Sequence, residues 1–172
     1  NVVSGLALGC DVSAHKGCLD KLGFTTAVLA HGLDTVYPKE NTEIADQIVK
    51  SGGILISEYY VGQTSRPNYF IERDRIQAAL SDGIIVVETD QKGGTMHTAG
   101  FAKEYDKHIG VCKHPDTTKP HRMREGNKVL VSEGCSSLSN KEDIESVADK
   151  LRNSRNKNDS KVNERSTGDQ FG

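Results

Sequence analysis

Three cations and a glycine turn stand out as residues that could do chemistry together. Arg73 and Arg75 lie two apart, and Lys92 immediately precedes Gly93-Gly94-Thr95. Glycine lets a ligand approach the backbone, the first turn of a helix presents unpaired N–H groups, and a lysine beside them adds a full positive charge. That combination serves anion capture, of a phosphate above all. A tight βα turn needing glycine for its geometry alone explains Gly93-Gly94 equally well. Arg73 and Arg75 are expected to open a helix whose Ile76, Ala79 and Leu80 face inward. Cations oppose the helix dipole at that end, which points to a partner anion. The plainer account is a surface pair held by Asp74, Glu72 or Glu58. Two further constellations are thinner. Ser4, Asp11 and His15 have the residue types of a hydrolytic triad but no G-x-S-x-G elbow. Cys10, His15 and Cys18 have zinc-ligand types but no fourth partner.

The elements that must position these groups are legible as alternating strands and helices. Gly83 to Glu88 is a continuous β-branched run, as expected of a parallel strand covered on both faces, and it feeds the Lys92–Thr95 turn. Val2-Val3 runs into Ser4–Gly9, a second strand–turn–helix corner, whose helix Asp11 or Ser13 can cap and Gly23 can end. Strands are also expected at 25–30, 53–58 and 107–112, with a helix from about Asn41 to Gly52. A loop of about ten residues from Glu58 towards Phe70 is long enough to carry function. His114 to Lys128 reads as a basic loop with Lys119, Arg122 and Arg124, followed by the short apolar segment Val129–Val131. Ser139 and Glu142 read as a capping box for a helix reaching Leu151. Such alternation predicts an α/β fold with a doubly wound, mainly parallel sheet, which binds ligands outside the carboxyl ends of its strands. The Ser4–Gly9 corner, the 31–38 loop, the 58–70 loop and the Lys92–Thr95 turn all fall on that edge.

The 172 residues suffice for one domain, yet apolar content is only 35% and mean hydropathy −0.54. Residues 152–172, polar almost throughout, account for that and are expected to be a disordered tail beyond a domain at 1–151. A net charge of −2 confines any nucleic-acid site to a local patch. Four cysteines without a C-x-x-C pair predict reduced, mostly buried thiols and a cytoplasmic setting. No metal or other cofactor is expected. The chain opens without Met inside an expected strand, so a fragment of a longer chain is expected.

Val3-Ser4-Gly5-Leu6-Ala7-x-Gly9-x-Asp11, with Ala14-His15-x-Gly17, resembles the DNA-processing protein A (DprA, also called Smf) family. The likeness continues through Gly32-Leu33-Asp34-x-Val36-Tyr37-Pro38-x-Glu40-Asn41, Leu55-Ile56-Ser57-Glu58 and Phe70-x-x-Arg73-x-Arg75-Ile76. Gly94-Thr95-x-x-Thr98-Ala99 and Gly126-Asn127 complete it, in collinear order over roughly residues 2 to 151. The resemblance implies an extended Rossmann-like domain that binds single-stranded DNA without catalysis, works as a homodimer and loads a RecA-type recombinase during DNA uptake. It also implies that Lys92 and Gly93-Gly94-Thr95 hold DNA phosphate, that Arg73 and Arg75 shape or charge the same pocket, and that Ser4-Gly5 lines it. Phe70 could pack beneath the loop or stack on a base; with no other aromatic placed nearby, packing is expected. The chain departs from the family at Asp74, an asparagine there; at the Gly93-Gly94-Thr95 turn, which is Ser-Gly-Ser there; and at His97, usually aliphatic. The family's first strand, with its Gly-Ser-Arg turn, is absent. Two alternatives share the superfold: lysine-decarboxylase-like phosphoribohydrolases, whose catalytic Glu is Thr98 here, and nucleotide-sensing modules.

Overall fold

The computed structural model describes residues 1–114 and 122–153, with Met123 by its backbone alone. In one half, β1 (Val2–Ser4), α1 (Cys10–Leu19), β2 (Thr25–Leu29), a 3₁₀ turn (Lys39–Asn41), α2 (Thr42–Lys50) and β3 (Ile54–Ser57) follow in turn. The crossover helix α3 (Pro67–Leu80) leads to β4 (Gly83–Val86), α4 (Gly94–Glu104) and β5 (His108–Cys112). A second 3₁₀ turn (Arg122–Arg124), α5 (Glu125–Ser132), β6 (Ser136–Leu138) and a helix over 141–153, here α6, complete the order.

All pairings are parallel, and among the described residues they make two three-stranded sheets, β1-β2-β3 and β4-β5-β6. The order 3-2-1 and 4-5-6 is that of a doubly wound fold divided where the winding reverses. Each sheet has its own core. Leu6, Ala27, Leu29, Ile44, Ala45 and Ile48 fill the first, where the apolar face of α2 meets β2. Ala78, Val86, Ala99, Ala102, Val111 and Leu130 fill the second, where α3 and α4 bring small residues into close contact.

Several boundaries differ from expectation, each for a local reason. Arg73 and Arg75 do not open α3: Pro67, at the first helical position, starts it six residues earlier than Arg73, because its fixed φ suits that place. The dipole argument for an anion at those arginines therefore falls. β4 ends at Val86 rather than Glu88 because Asn127 takes over the backbone there. The expected basic loop is helical from Glu125, and Val129–Val131 lies inside α5 with Leu130 fully buried. Lys119 lies outside the described residues. The capping box at α6 is one residue later than expected: Asn140 Oδ1 accepts from Asp143 N (2.8 Å) and Asp143 Oδ2 from Ser139 N (2.7 Å). Helix α6 continues to 153, past the expected boundary at 151, and the rest of the expected tail lies outside the described residues. None of the four cysteines is fully buried, and Cys10 is exposed. Among the described residues no helix is long and apolar enough to cross a membrane.

Candidate functional site

The carboxyl edge of β4 leads into Asp90-Gln91-Lys92-Gly93, and the turn is built by Asp90. Its Oδ1 accepts from Lys92 N (2.7 Å) and its carbonyl from Gly93 N (3.3 Å). Gly93 caps α4 with no side-chain hydrogen bond, and the first turn of α4 holds no acidic residue. The N–H groups of Gly94 and Thr95 have no acceptor among the described residues, and the one carboxylate at this end, Asp90, accepts from Lys92 N ahead of the helix rather than capping it. Lys92 is exposed and no carboxylate among the described residues pairs with it, whereas Arg122 in the same cleft reaches Asp90 (3.5 Å). Lys92, Arg122, Asp90, Gln91 and Glu125 line a cleft of about 290 Å³.

Asn127, not expected to matter here, fixes this edge. Buried on α5, it accepts from Thr89 N (2.9 Å) and donates to the carbonyls of Val87 (2.9 Å) and Cys112 (3.0 Å). Those bonds tie the exits of β4 and β5 together just before the Lys92 turn. Gly126 packs its backbone on the same loop, donating to Thr89 O (2.9 Å) with Asp90 O only 2.5 Å from where a Cβ would stand. Only the pair Gly126-Asn127 itself hinted at this.

The first corner is organised differently. Asp11 does not cap α1; its Oδ2 turns back to accept from Gly5 N (2.9 Å) and Ala7 N (3.1 Å). A carboxylate of the chain itself therefore occupies the Gly5 amide, within the Ser4-Gly5 segment expected to line the pocket. Leu6 adopts φ 62° to reach the core, and Asn41 Nδ2 donates to its carbonyl (2.7 Å). Gly5 is buried beneath Arg73, whose Nη1 would lie 1.9 Å from a Cβ there.

The two arginines part company. Arg73 is only 6% exposed; it donates to the carbonyl of Val28 and pairs through Nε with Asp74 (3.2 Å). It braces α3 against β2 and the first corner. Arg75 pairs with Glu58 near the surface. Burial pushes the Asp74 carboxyl above its ordinary range, against the opposing pull of Arg73 and a hydrogen bond from Thr98. The triad and zinc constellations are not assembled: His15 Nδ1 meets Thr25 Oγ1 (2.6 Å), and Cys18 Sγ donates to Phe24 O (3.0 Å).

Phe70 has an aromatic neighbour that sequence reasoning missed. The Tyr37 ring, from the 31–38 loop, stands 6.1 Å from it, and the Arg73 guanidinium lies 5.9 Å from the Phe70 centroid.

Residues 1–149 match the family described as DNA recombination-mediator protein A. The chain is 38% identical over 137 residues to Protein Smf of Synechocystis, covering 77% of this chain and 34% of that protein. It is 34% identical over 136 residues to DNA processing protein DprA of Streptococcus pneumoniae, covering 76% of this chain and 48% of that protein. The X-ray structure of the pneumococcal DprA superposes with a TM-score of 0.74 at 32% identity, over 84% of this chain and 50% of that one. DNA processing protein A of Helicobacter pylori, described by its single-stranded DNA binding mode, gives a TM-score of 0.73 at 30% identity, over 88% of this chain and 66% of that one. The chain thus spans between a third and a half of the length of these curated relatives.

Proposed function

This chain belongs to the DNA recombination-mediator protein A family, and from that premise we propose that it binds single-stranded DNA through the Lys92 turn. One observation carries the reading: an exposed lysine without a carboxylate partner among the described residues stands beside the uncapped amino end of α4. Gly93, Gly94 and Thr95 present the backbone, and Lys92 supplies the charge. Arg73 acts through shape, holding the Gly5 corner, while Arg75 is available to DNA only by exchanging Glu58 for phosphate. Contact at Ser4-Gly5 likewise requires Asp11 to yield the Gly5 amide. The wider role follows the family resemblance: a non-catalytic homodimer in the cytoplasm that delivers a RecA-type recombinase to the strand during DNA uptake.

A salt titration with dT and mixed-sequence oligonucleotides tests the binding. Affinity is expected to fall linearly on a log–log plot, because several phosphates release counterions together. Lys92→Ala is expected to weaken both oligonucleotides alike and to reduce the slope by about 0.7, the share of one phosphate contact in a single strand. Affinity that hardly changes with salt would give the cleft to a single nucleotide instead. Unchanged affinity in the variant would remove Lys92 from the site.

A further inference from the structure

We propose that Tyr60 and Tyr37 form a stacking platform for nucleobases on the carboxyl edge, separate from the phosphate turn; this rests on the single-stranded DNA reading above. Tyr60 is 86% exposed and Tyr37 54%, an unusual placement for rings of that size in a chain with only five tyrosines. Two others explain why these two face outward. Tyr59 stacks on Tyr69 with centroids 4.2 Å apart and donates its hydroxyl to Glu72 (3.0 Å), so that pair forms an internal support.

The loops that carry the exposed rings are locked to each other. Gly32 N donates to Gln63 O (2.8 Å) and Gly62 N to Asp34 Oδ1 (2.8 Å). A Cβ on Gly32 would stand 2.3 Å from the Tyr60 carbonyl oxygen, so the contact is closed to anything larger than glycine. Phe70 backs the Tyr37 ring, and His31 meets it edge-on at 6.5 Å. The Tyr37 ring, held this way, loses little freedom when a base lands on it; Tyr60 is fixed at its backbone, and every base has a π-face to offer. DNA is the occupant to which the single-stranded DNA reading commits the platform. Tyr37 and Tyr60 lie on the loops that leave the carboxyl ends of β2 and β3, and the Lys92 turn leaves the carboxyl end of β4. On that reading a strand held by its phosphates at Lys92 continues along the carboxyl ends of the strands and lays bases on the two rings.

The platform is tested by comparing a dT oligonucleotide with an abasic one of equal phosphate number. For the unaltered chain, the abasic strand is expected to bind at least about fivefold more weakly, the effect of one base–aromatic stack. Tyr60→Ala and Tyr37→Ala should bring the dT affinity down towards the abasic value while leaving abasic binding and the salt slope unchanged. Tyr60→Phe, which keeps the ring, should restore dT binding. Equal affinity of the unaltered chain for both strands overturns the platform and leaves the phosphate site standing. Variants that weaken both strands equally, or that alter self-association without altering DNA affinity, also overturn it. No binding of either strand overturns the DNA reading and the platform with it.

Discussion

Asn127 shows how one side chain can set a binding edge without touching a ligand. Its amide satisfies a backbone donor and two backbone acceptors at the ends of β4 and β5, the first bond buried and the other two partly so. Asn127→Ala takes from Thr89 N–H and Cys112 C=O their side-chain partner among the described residues, while Val87 O keeps the His114 ring nitrogen at 2.7 Å. Stranded buried groups of this kind each cost about 1–3 kcal/mol, so the variant is expected to lose about 2–4 kcal/mol in urea unfolding, with an unchanged m-value. Asp11 teaches the converse lesson. Its residue type and position suited a helix cap, yet the amides of the preceding turn compete for the same carboxylate and win. Sequence alone does not rank two nearby sets of donors for one short side chain.

At the scale of elements, the amino end of α4 holds stability and binding in opposition. Helices are steadied by acidic residues in their first turn, and α4 has none. Thr95→Asp is therefore expected to stabilise the chain by about 0.3–1 kcal/mol in thermal or urea unfolding. The same carboxylate would take the place of a phosphate, so oligonucleotide affinity should fall. A variant less stable than the original, or one that binds DNA as well, would deny that the end is kept open for an anion. The alternation of strands and helices, the parallel pairing and the position of this turn were all legible, because hydrophobic runs and glycine punctuation report them directly. The start of α3 was not. The arginines drew attention as charges, while Pro67 carried the boundary. Helix α5 was hidden by Gly126 and Asn127, poor helix formers retained because Gly126 packs on the Thr89–Asp90 backbone and Asn127 clips two strands. Tyr37 and Phe70, 33 positions apart, meet only through tertiary structure.

Across the whole molecule, two small parallel sheets have separate cores, and a fully buried histidine, His15, sits in the first half. His15 has no exposed surface. Thr25 Oγ1 gives its proton to Val2 O (2.9 Å), so His15 Nδ1 must donate to that hydroxyl, and Nε2 is left buried without a partner among the described residues. A second proton on the ring would have no acceptor among the described residues. Burial accordingly pushes the imidazole below its ordinary 6.5, with the Asp11 carboxylate pulling weakly the other way. In the unfolded chain the ring titrates at its ordinary value. Below about pH 6.5 the unfolded state therefore binds more protons than the folded one, and stability falls as pH falls, by at most about 1.4 kcal/mol per pH unit for a single group. Urea midpoints measured from pH 7.5 down to 5.5 should decline accordingly. His15→Gln is expected to be less stable at pH 7.5, where the Thr25 contact is perturbed, but to show a flatter dependence on acid. A decline of equal steepness in the variant would move the titrating group away from His15 and leave the buried ring a purely structural part of the core.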